Sequence, residues 1–232
     1  MLYSKINKFK DFFKFDKNRS FRNKLIAYKN AIPPSDLYDY GEGYFYQSLE
    51  KINLSGLRSS KNRLKNYNID SLIVNSSILD IGCNSGFLLF QLDETYKEII
   101  GIDHNKSLIE MGNMTSEYLS KDKISLIHGD YMKYDFKQKF DIIFSFANHT
   151  TYDKGIKDAE KYFKKCSDLL LKDGILVVES HHPNYEDQLE FVKMIESISL
   201  SNNLKIKNQF KIKSSNYYDN ERTFVIISKG LI

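Results

Sequence analysis

Residues 78–86 have the sequence ILDIGCNSG, and an apolar stretch follows them directly. An apolar strand, a tight turn at Gly82 and Gly86 and the start of a helix form the layout of a nucleotide-binding βα unit. The spacing is Gly-x-x-x-Gly, and Asn84 stands where a dinucleotide-binding loop has the glycine that lets the backbone approach a pyrophosphate. We therefore expect a ligand with a nucleoside but no phosphates, and Asp80 suits a ligand that bears an ammonium group.

Further apolar strands follow this unit, with helices between them. We predict strands at 77–82, 98–103, 124–129, 140–146 and 174–180, and helices at 86–95, 106–119, 155–171 and 186–200. Lys172-Asp173-Gly174 is the predicted stop signal of the third of these helices. Near-continuous apolar strands separated by helices indicate a mainly parallel sheet that is covered on both faces, and the alternating segments 204–213 and 222–229 predict a terminal hairpin.

The pattern Asp-x-Gly-x-x-x-Gly after a buried strand resembles motif I of class I S-adenosylmethionine (SAM)-dependent methyltransferases. The resemblance extends from about Gly56 to the C-terminus. It implies an α/β fold with a doubly wound, mainly parallel seven-stranded sheet in the order 3-2-1-4-5-7-6. We interpret residues 1–70 as a helical and aromatic cap that contributes to the substrate site, and residues 71–232 as the SAM-binding Rossmann-like domain. The alternative is a glycine turn in a sheet protein with another cofactor.

Residues at the ends of the strands are the candidates for cofactor binding. Asp103 lies 21 residues after Gly82, where a carboxylate accepts hydrogen bonds from ribose hydroxyls; its alternative role is a helix N-cap. The resemblance assigns Asp130 to the adenine amino group and the backbone N–H of Tyr131 to a ring nitrogen. It places Arg58 near the methionine carboxylate, although an exposed Arg at a helix start is the alternative. The predicted cofactor-binding residues are Asp80, Gly82, Cys83, Asn84, Gly86, Asp103, His104, Asp130, Tyr131, Ser145 and Arg58.

Three of the five histidines follow the fourth and fifth strands, in SFANHT (145–150) and ESHHP (179–183). A neutral imidazole near pH 7 suits the removal of a proton from a hydroxyl nucleophile. We therefore predict His149 as the general base, with His181 or His182 as the next candidates. An isolated histidine is more often structural, but three histidines at the carboxyl ends of neighbouring strands, where we expect the reaction to take place, favour a catalytic role.

The resemblance implies SAM as the cofactor and O-methylation of a small polar acceptor. ANHTTYD and ESHHP resemble bacterial methyltransferases that are linked to sugar or surface-polysaccharide modification. RNA or protein methylation, and a SAM-fold protein that binds without catalysis, stay open as alternatives. So does a metal-dependent O-methyltransferase, for which the candidate ligands are His149, His181, His182, Asp153 and Glu179. Arg222, together with Lys61, Arg63 or the basic N-terminus, either binds an anionic substrate such as a phosphate or a nucleotide sugar, or is a charged residue at a strand start.

Composition limits the remaining function classes. The net charge is +4, but Lys outnumbers Arg heavily, so the charge does not indicate a nucleic-acid partner. No apolar run approaches the roughly 20 residues of a membrane span, and the first thirty residues do not resemble a secretory signal. Cys83 and Cys166 have no zinc-site spacing, which favours a reduced, cytoplasmic setting.

Residues 1–30 carry nine Lys and Arg against two Asp, with Leu2, Ile6, Phe9 and Phe13 at helical spacing. This pattern predicts a basic amphipathic helix that caps the core; the alternative is a helix that lies on a membrane surface or clasps a partner. A tyrosine cluster then follows, which either packs over the cofactor or substrate or fills the core. Its members are Tyr38, Tyr40, Tyr44 and Tyr46.

Overall fold

The computed structural model describes residues 6, 9–11, 13–33, 45–148, 156–179, 188–212 and 222–230, with the backbone alone for 156–157 and 188–191. The helices are α1 (Arg19–Ala31), α2 (Ser60–Tyr67), α3 (Phe87–Gln91), α4 (Lys106–Tyr118), α5 (Ile156–Leu169) and α6 (Gln188–Ser201). The strands are β1 (Ser77–Ile81), β2 (Glu98–Asp103), β3 (Ile124–His128), β4 (Phe140–Phe146), β5 (Leu170–Glu179), β6 (Leu204–Ile212) and β7 (Arg222–Lys229). A short 3₁₀ turn covers Glu50–Ile52.

The strands form one seven-stranded sheet in the order β3-β2-β1-β4-β5-β7-β6. Strands β1 to β5 pair in parallel, and β7 is antiparallel to both of its neighbours, β5 and β6. The predicted strand order and the terminal hairpin are therefore confirmed. Since strand order reverses between β1 and β4, the carboxyl ends of these strands meet at the place where doubly wound sheets bind ligands.

The start of β5 differs from the prediction. Leu170 is buried and already pairs with Phe140, so the strand begins before the sequence Lys172-Asp173-Gly174 rather than after it. The register between β4 and β5 shifts there, and Asp173 adopts φ +63°. The predicted stop signal therefore lies at an irregularity within the strand, because pairing with β4 extends the sheet on both sides of it.

Both faces of the sheet are buried, as the apolar strands predicted. Alternate residues of β4 belong to opposite layers: Phe144 packs into the layer that holds α2, α3 and α4, whereas Ile143 packs into the layer that holds α5 and α6. Helix α1 joins the first layer through Phe21 and Leu25, and the Phe21 ring stacks on Tyr118 with a centroid distance of 3.9 Å. Among the described residues, no helix is both long and apolar enough to cross a membrane.

The predicted apolar stripe near the N-terminus is exposed at the residues that the structure describes. Ile6, Phe9 and Phe13 are 41%, 67% and 50% exposed, and Leu2 lies outside the described residues. The prediction that this stripe caps the core is therefore wrong for these three residues. Helix α1 covers the core instead, through Phe21 and Leu25.

Candidate functional site

The glycine bend connects β1 to α3 and lies against the end of β4. Gly82 and Gly86 have φ +68° and +69°, values that favour glycine, and the N–H groups of Gly82 and Cys83 donate to the Ile102 carbonyl at 2.8 and 3.1 Å. A Cβ on Gly82 would collide with the amide oxygen of Asn148, whose Nδ2 donates to the Ile81 carbonyl. The bend therefore needs glycine at its first position, both for the backbone angle and for the close approach of Asn148.

Asp103 ends β2 and is aimed at the glycine bend. Its carboxylate accepts the N–H of Asn84 at 2.9 Å and the N–H of Asn105 at 2.9 Å. Asn105, not Asp103, caps α4, because its side-chain oxygen accepts the Leu108 N–H at 3.1 Å. The N-cap interpretation of Asp103 is thus wrong. His104 is exposed, with Nδ1 3.6 Å from the Asp103 carboxylate.

Asp80 is a buried carboxyl group on β1, just before the bend. Burial raises the pKa of Asp80 to about 8, the nearby charge of Asp103 adds to the increase, and Arg63 opposes it. Within the described part of the chain, no basic side chain forms an ion pair with Asp80. Two neighbouring carboxyl groups in a buried setting attract a positive or hydrogen-bond-donating ligand.

The loop after β3 contains the predicted adenine-binding residues. The Asp130 side chain is half-exposed, and its Oδ1 accepts the Met132 N–H at 2.9 Å. The Tyr131 side chain points away into the core, where its hydroxyl lies 3.3 Å from Cys166 Sγ, so only the backbone of Tyr131 is available to a ligand. Lys165 of α5 holds this loop by donating to the carbonyls of Tyr131 and Tyr134 at 2.6 and 2.8 Å.

The end of β5 carries a buried ion cluster. Glu179 accepts from Arg63 Nη2 at 2.8 Å and from Arg222 Nη1 at 3.2 Å, while Arg63 Nε donates to the Tyr67 hydroxyl at 2.8 Å. Although burial alone would raise the pKa of Glu179, the attraction of Arg63, Arg222 and Arg58 lowers it to about 2. Arg222 is 1% exposed, so the interpretation of this residue as a grip on substrate does not fit its position.

Three further predicted residues are buried. The guanidinium of Arg58 lies over the Tyr46 ring at 5.4 Å, and its charge reaches the Glu179 carboxylate. The Ser145 hydroxyl is 2.7 Å from the Tyr162 hydroxyl, on the side of the sheet that α5 covers. Cys83 lies in the bend, where burial raises the pKa of its thiol well above the usual value, so this group is not a nucleophile.

The candidate bases His149, His181 and His182 lie outside the described residues, as do Asp153 and the tyrosines Tyr38, Tyr40 and Tyr44. Their assignments stay predictions. In the described ranges, no group of three or more His, Cys, Asp or Glu side chains is arranged to hold a metal ion.

Sequence reasoning missed Asn148 and Lys165. Asn148 stands in the quoted segment 145–150, and its close approach to Gly82 is a tertiary contact between β1 and β4. Lys165 has no local signal, because it lies within a helix and acts on a loop more than thirty residues earlier in the chain.

The glycine bend thus lies beside Asp80 and Asp103 at the ends of β1 and β2, and Asp130 follows β3, the next strand of the sheet. A family model described as a methyltransferase domain matches residues 73–223, which is more than half of the chain. That range includes every strand from β1 to β6, together with the bend.

Named relatives carry different methyltransferase names. A sterol 24-C-methyltransferase from Debaryomyces hansenii is 28% identical over 136 residues, covering 56% of this chain and 36% of the relative. The protein-lysine N-methyltransferase EFM4 from Saccharomyces cerevisiae is 28% identical over 145 residues, covering 54% and 58%. A ubiquinone biosynthesis O-methyltransferase from Pelagibacter ubique is 28% identical over 140 residues, covering 57% and 55%. The chain therefore spans between 36% and 58% of the length of these relatives.

Solved structures share the fold. A SAM-dependent methyltransferase from Clostridium acetobutylicum superposes with a TM-score of 0.60 at 16% identity, covering 79% of this chain and 95% of that one. The N-methyltransferase NodS from Bradyrhizobium japonicum gives a TM-score of 0.58 at 16% identity, covering 73% and 94%. With the family match across the bend and the sheet, these similarities identify the chain as a member of the methyltransferase domain family.

Proposed function

We propose that this chain is a SAM-dependent methyltransferase that O-methylates a small polar acceptor. The observation that carries the proposal is the pair of buried carboxyl groups, Asp80 and Asp103, at the ends of adjacent strands beside the glycine bend. An adenosyl sulfonium amino acid offers ribose hydroxyls, which suit the remaining acceptor capacity of Asp103, and an ammonium group, which suits Asp80. NodS has been solved with S-adenosyl-L-homocysteine, so a related fold accommodates this kind of ligand.

The residues present fit SAM. The Asp103 carboxylate is held rigidly by the N–H groups of Asn84 and Asn105, and a carboxylate has acceptor capacity beyond those two bonds for ribose hydroxyls. Asp80 suits the ammonium group, and the carboxylate of Asp130 together with the backbone N–H of Tyr131 suits the adenine edge. Arg58 suits the methionine carboxylate.

When bound, SAM supplies a methyl group that is already activated by its sulfonium. The chain has to align an acceptor oxygen with that methyl, at about 3 Å, and to accept the proton that the hydroxyl loses. We assign proton removal to His149, with His181 or His182 as the alternatives, a contribution of about 10²–10⁴-fold. The end of β4 leads into His149 and the end of β5 into His181, and these two strands are neighbours in the sheet.

The acceptor class rests on the resemblance rather than on a contact. We propose a sugar, a nucleotide sugar or a surface-polysaccharide precursor, methylated in the cytoplasm. The buried cluster of Glu179, Arg63 and Arg222 holds the scaffold beside the acceptor region, and residues 1–70 supply part of the substrate site. Names such as lysine and sterol methyltransferase among the relatives make nitrogen and carbon acceptors the alternatives to test.

The test is transfer of labelled methyl from SAM to a panel of sugars, nucleotide sugars, phenols, amines, protein and RNA, with and without a strong chelator. We expect label on a hydroxyl compound, unchanged by the chelator. His149→Gln should lower turnover without changing SAM affinity, and the loss should be largest near and above neutral pH, where the imidazole of the parent chain is neutral, and should shrink as the pH falls and that imidazole becomes protonated. Label on RNA or protein alone would contradict the acceptor class, and full activity of His149→Gln from about pH 6 to about pH 9 would contradict the assigned base.

A further inference from the structure

The N-terminal segment has an arrangement that the proposed function does not use. Ile6, Phe9, Phe13 and Phe15 are 41%, 67%, 50% and 73% exposed, and we call these four residues the aromatic ridge. The rings of Phe9 and Phe13 lie 4.6 Å apart, so these two side chains of the ridge form one apolar surface rather than isolated rings. Contiguous exposed apolar surface of this kind marks an interaction site.

The aromatic ridge is fixed to the body of the protein. Asp11, on the opposite side of the same helical turn, is fully buried and accepts from the N–H and the hydroxyl of Ser55 at 2.7 and 2.8 Å. Lys14 donates to Asp11 at 2.7 Å and to the Asn53 carbonyl at 2.9 Å. The segment therefore turns its acidic side inward and its aromatic side outward, which is the reverse of a helix that covers a core.

The segment that carries the aromatic ridge is rich in positive charge. Residues 1–30 hold nine Lys and Arg against two Asp, a net charge of +7, whereas the whole chain has +4 and the remainder therefore −3. Lys10, Lys17 and Lys24 are exposed, and the Arg19 guanidinium lies 4.0 Å from the centroid of the Phe15 ring. The positive charge of the chain is thus concentrated on the segment that exposes the aromatic rings.

We propose that the aromatic ridge and the lysines around it dock the protein on the surface of an anionic phospholipid membrane. Aromatic side chains enter the boundary between headgroups and acyl chains, and Lys and Arg side chains are attracted to anionic headgroups. A second copy of this chain fits less well, because a symmetric contact would bring two segments of charge +7 together. The protein docks on the bilayer without spanning it.

Vesicle flotation of the purified full chain tests this surface. We expect binding to phosphatidylcholine vesicles with about 30% phosphatidylglycerol and none to phosphatidylcholine alone, with at least about a tenfold loss between 0.1 and 0.5 M salt. The combined variant Phe9→Ser, Phe13→Ser and Phe15→Ser should lose about tenfold or more in partitioning. Leu200→Ser is the matched control, because Leu200 is 85% exposed on α6, and it should bind like the parent chain.

A charge series separates the two parts of the docking surface. Lys10→Glu, Lys17→Glu and Lys24→Glu combined should abolish binding to anionic vesicles. Lys172→Glu, Lys205→Glu and Lys207→Glu combined make the same change in net charge at exposed positions elsewhere, and should retain it. Equal loss in both charge variants would show a dependence on net charge alone and would overturn the assignment of the surface.

A single fluorophore locates the contact, because the chain contains no tryptophan. Phe9→Trp should emit at shorter wavelength, and should be quenched by brominated lipid, when anionic vesicles are added; Leu200→Trp should do neither. No vesicle binding by folded protein would overturn the proposal. So would a dimer, detected by light scattering, that dissociates in the triple Ser variant.

Discussion

Two buried carboxyl sites at the same edge of the sheet have opposite electrostatic environments. At the ends of β1 and β2, Asp80 and Asp103 lie together, and burial, against the opposing effect of Arg63 and with the nearby charge of Asp103, raises the pKa of Asp80 to about 8. At the end of β5, the attraction of Arg63, Arg222 and Arg58 overcomes the effect of burial and lowers the pKa of Glu179 to about 2. A carboxylate that the protein itself neutralises is part of the scaffold, whereas a buried carboxyl group such as Asp80, which forms no ion pair within the described residues, is a place for a ligand.

The largest effect should be on the free energy of unfolding, when the buried cluster around Glu179 is broken. Glu179→Gln removes the carboxylate that accepts from the buried Arg63 and Arg222, and breaking a buried ion cluster in this way costs about 3–5 kcal/mol. Chemical denaturation should report this loss in the free energy of unfolding. Glu196→Gln, on the exposed side of α6, is the control and should change the free energy by less than about 0.5 kcal/mol.

The pH dependence of that loss has a fixed sign. Because the folded pKa of Glu179 is depressed, its stabilising contribution is present above the unfolded value of about 4.3 and disappears as the pH falls towards 2. The difference between the parent chain and Glu179→Gln should therefore shrink over this window. A difference that stays constant through it would mean that the cluster does not depend on the charge of Glu179.

The next largest effect should be on SAM affinity, when the Asp103 carboxylate is replaced. Asp103→Asn keeps the shape of the side chain but removes a charged acceptor, and hydrogen bonds to charged groups contribute about 1.5–3 kcal/mol, which corresponds to about a 10- to 150-fold loss in SAM affinity. Calorimetric titration measures this loss. Asp122→Asn, an exposed change after α4, should bind SAM like the parent chain. Equal affinities for Asp103→Asn and the parent chain would remove Asp103 from the ribose site.

The protonation of Asp80 should make SAM affinity depend on pH. Since its pKa is about 8, the carboxyl group is mostly protonated at pH 7 and has to release a proton to pair with an ammonium group. SAM affinity should rise with pH by up to about tenfold per unit between about pH 6 and pH 8. The same titration of Asp80→Asn reports the pH dependence that belongs to the ligand itself. Parallel curves for the two proteins would contradict the assigned contact.

We expect the smallest effect on SAM affinity from Lys165, which holds the Asp130 loop and is not assigned a contact with SAM. Lys165→Met keeps an unbranched side chain but removes the ammonium group that lies over the Tyr131 ring and donates to the carbonyls of the Asp130 loop, so SAM affinity should fall about two- to tenfold. Lys164→Met is the neighbouring control, because Lys164 pairs with Asp168 at the exposed surface of α5. Equal effects in both variants would mean that the loop does not need this support.

The sequence predicted the order of the strands better than the residues at which some of them begin. Strand β7 was predicted with its observed bounds, because a run of branched and aromatic residues leaves few alternatives to a buried strand. The start of β5 was not, since the pairing of Leu170 with Phe140 overrides a local turn signal. The N-terminal stripe was assigned to the core on spacing alone, and spacing does not tell whether an apolar face meets protein or not.

The site was predictable where its chemistry is local. Gly82 and Asp103 follow from a motif and a fixed distance along the chain. The partners of Glu179 do not, because Arg63 lies 116 residues earlier and meets it only through the packing of α2 on the sheet. For the same reason Glu179 was considered as a metal ligand, whereas its oxygens are already used by two arginines.

The central claim is that the glycine bend and its two carboxyl groups bind SAM, and equilibrium dialysis of the folded protein with labelled SAM tests it most directly. The account predicts retention of one SAM per chain, displacement by S-adenosyl-L-homocysteine and a marked loss in Asp103→Asn. Folded parent protein that retains neither compound at millimolar concentration would contradict it.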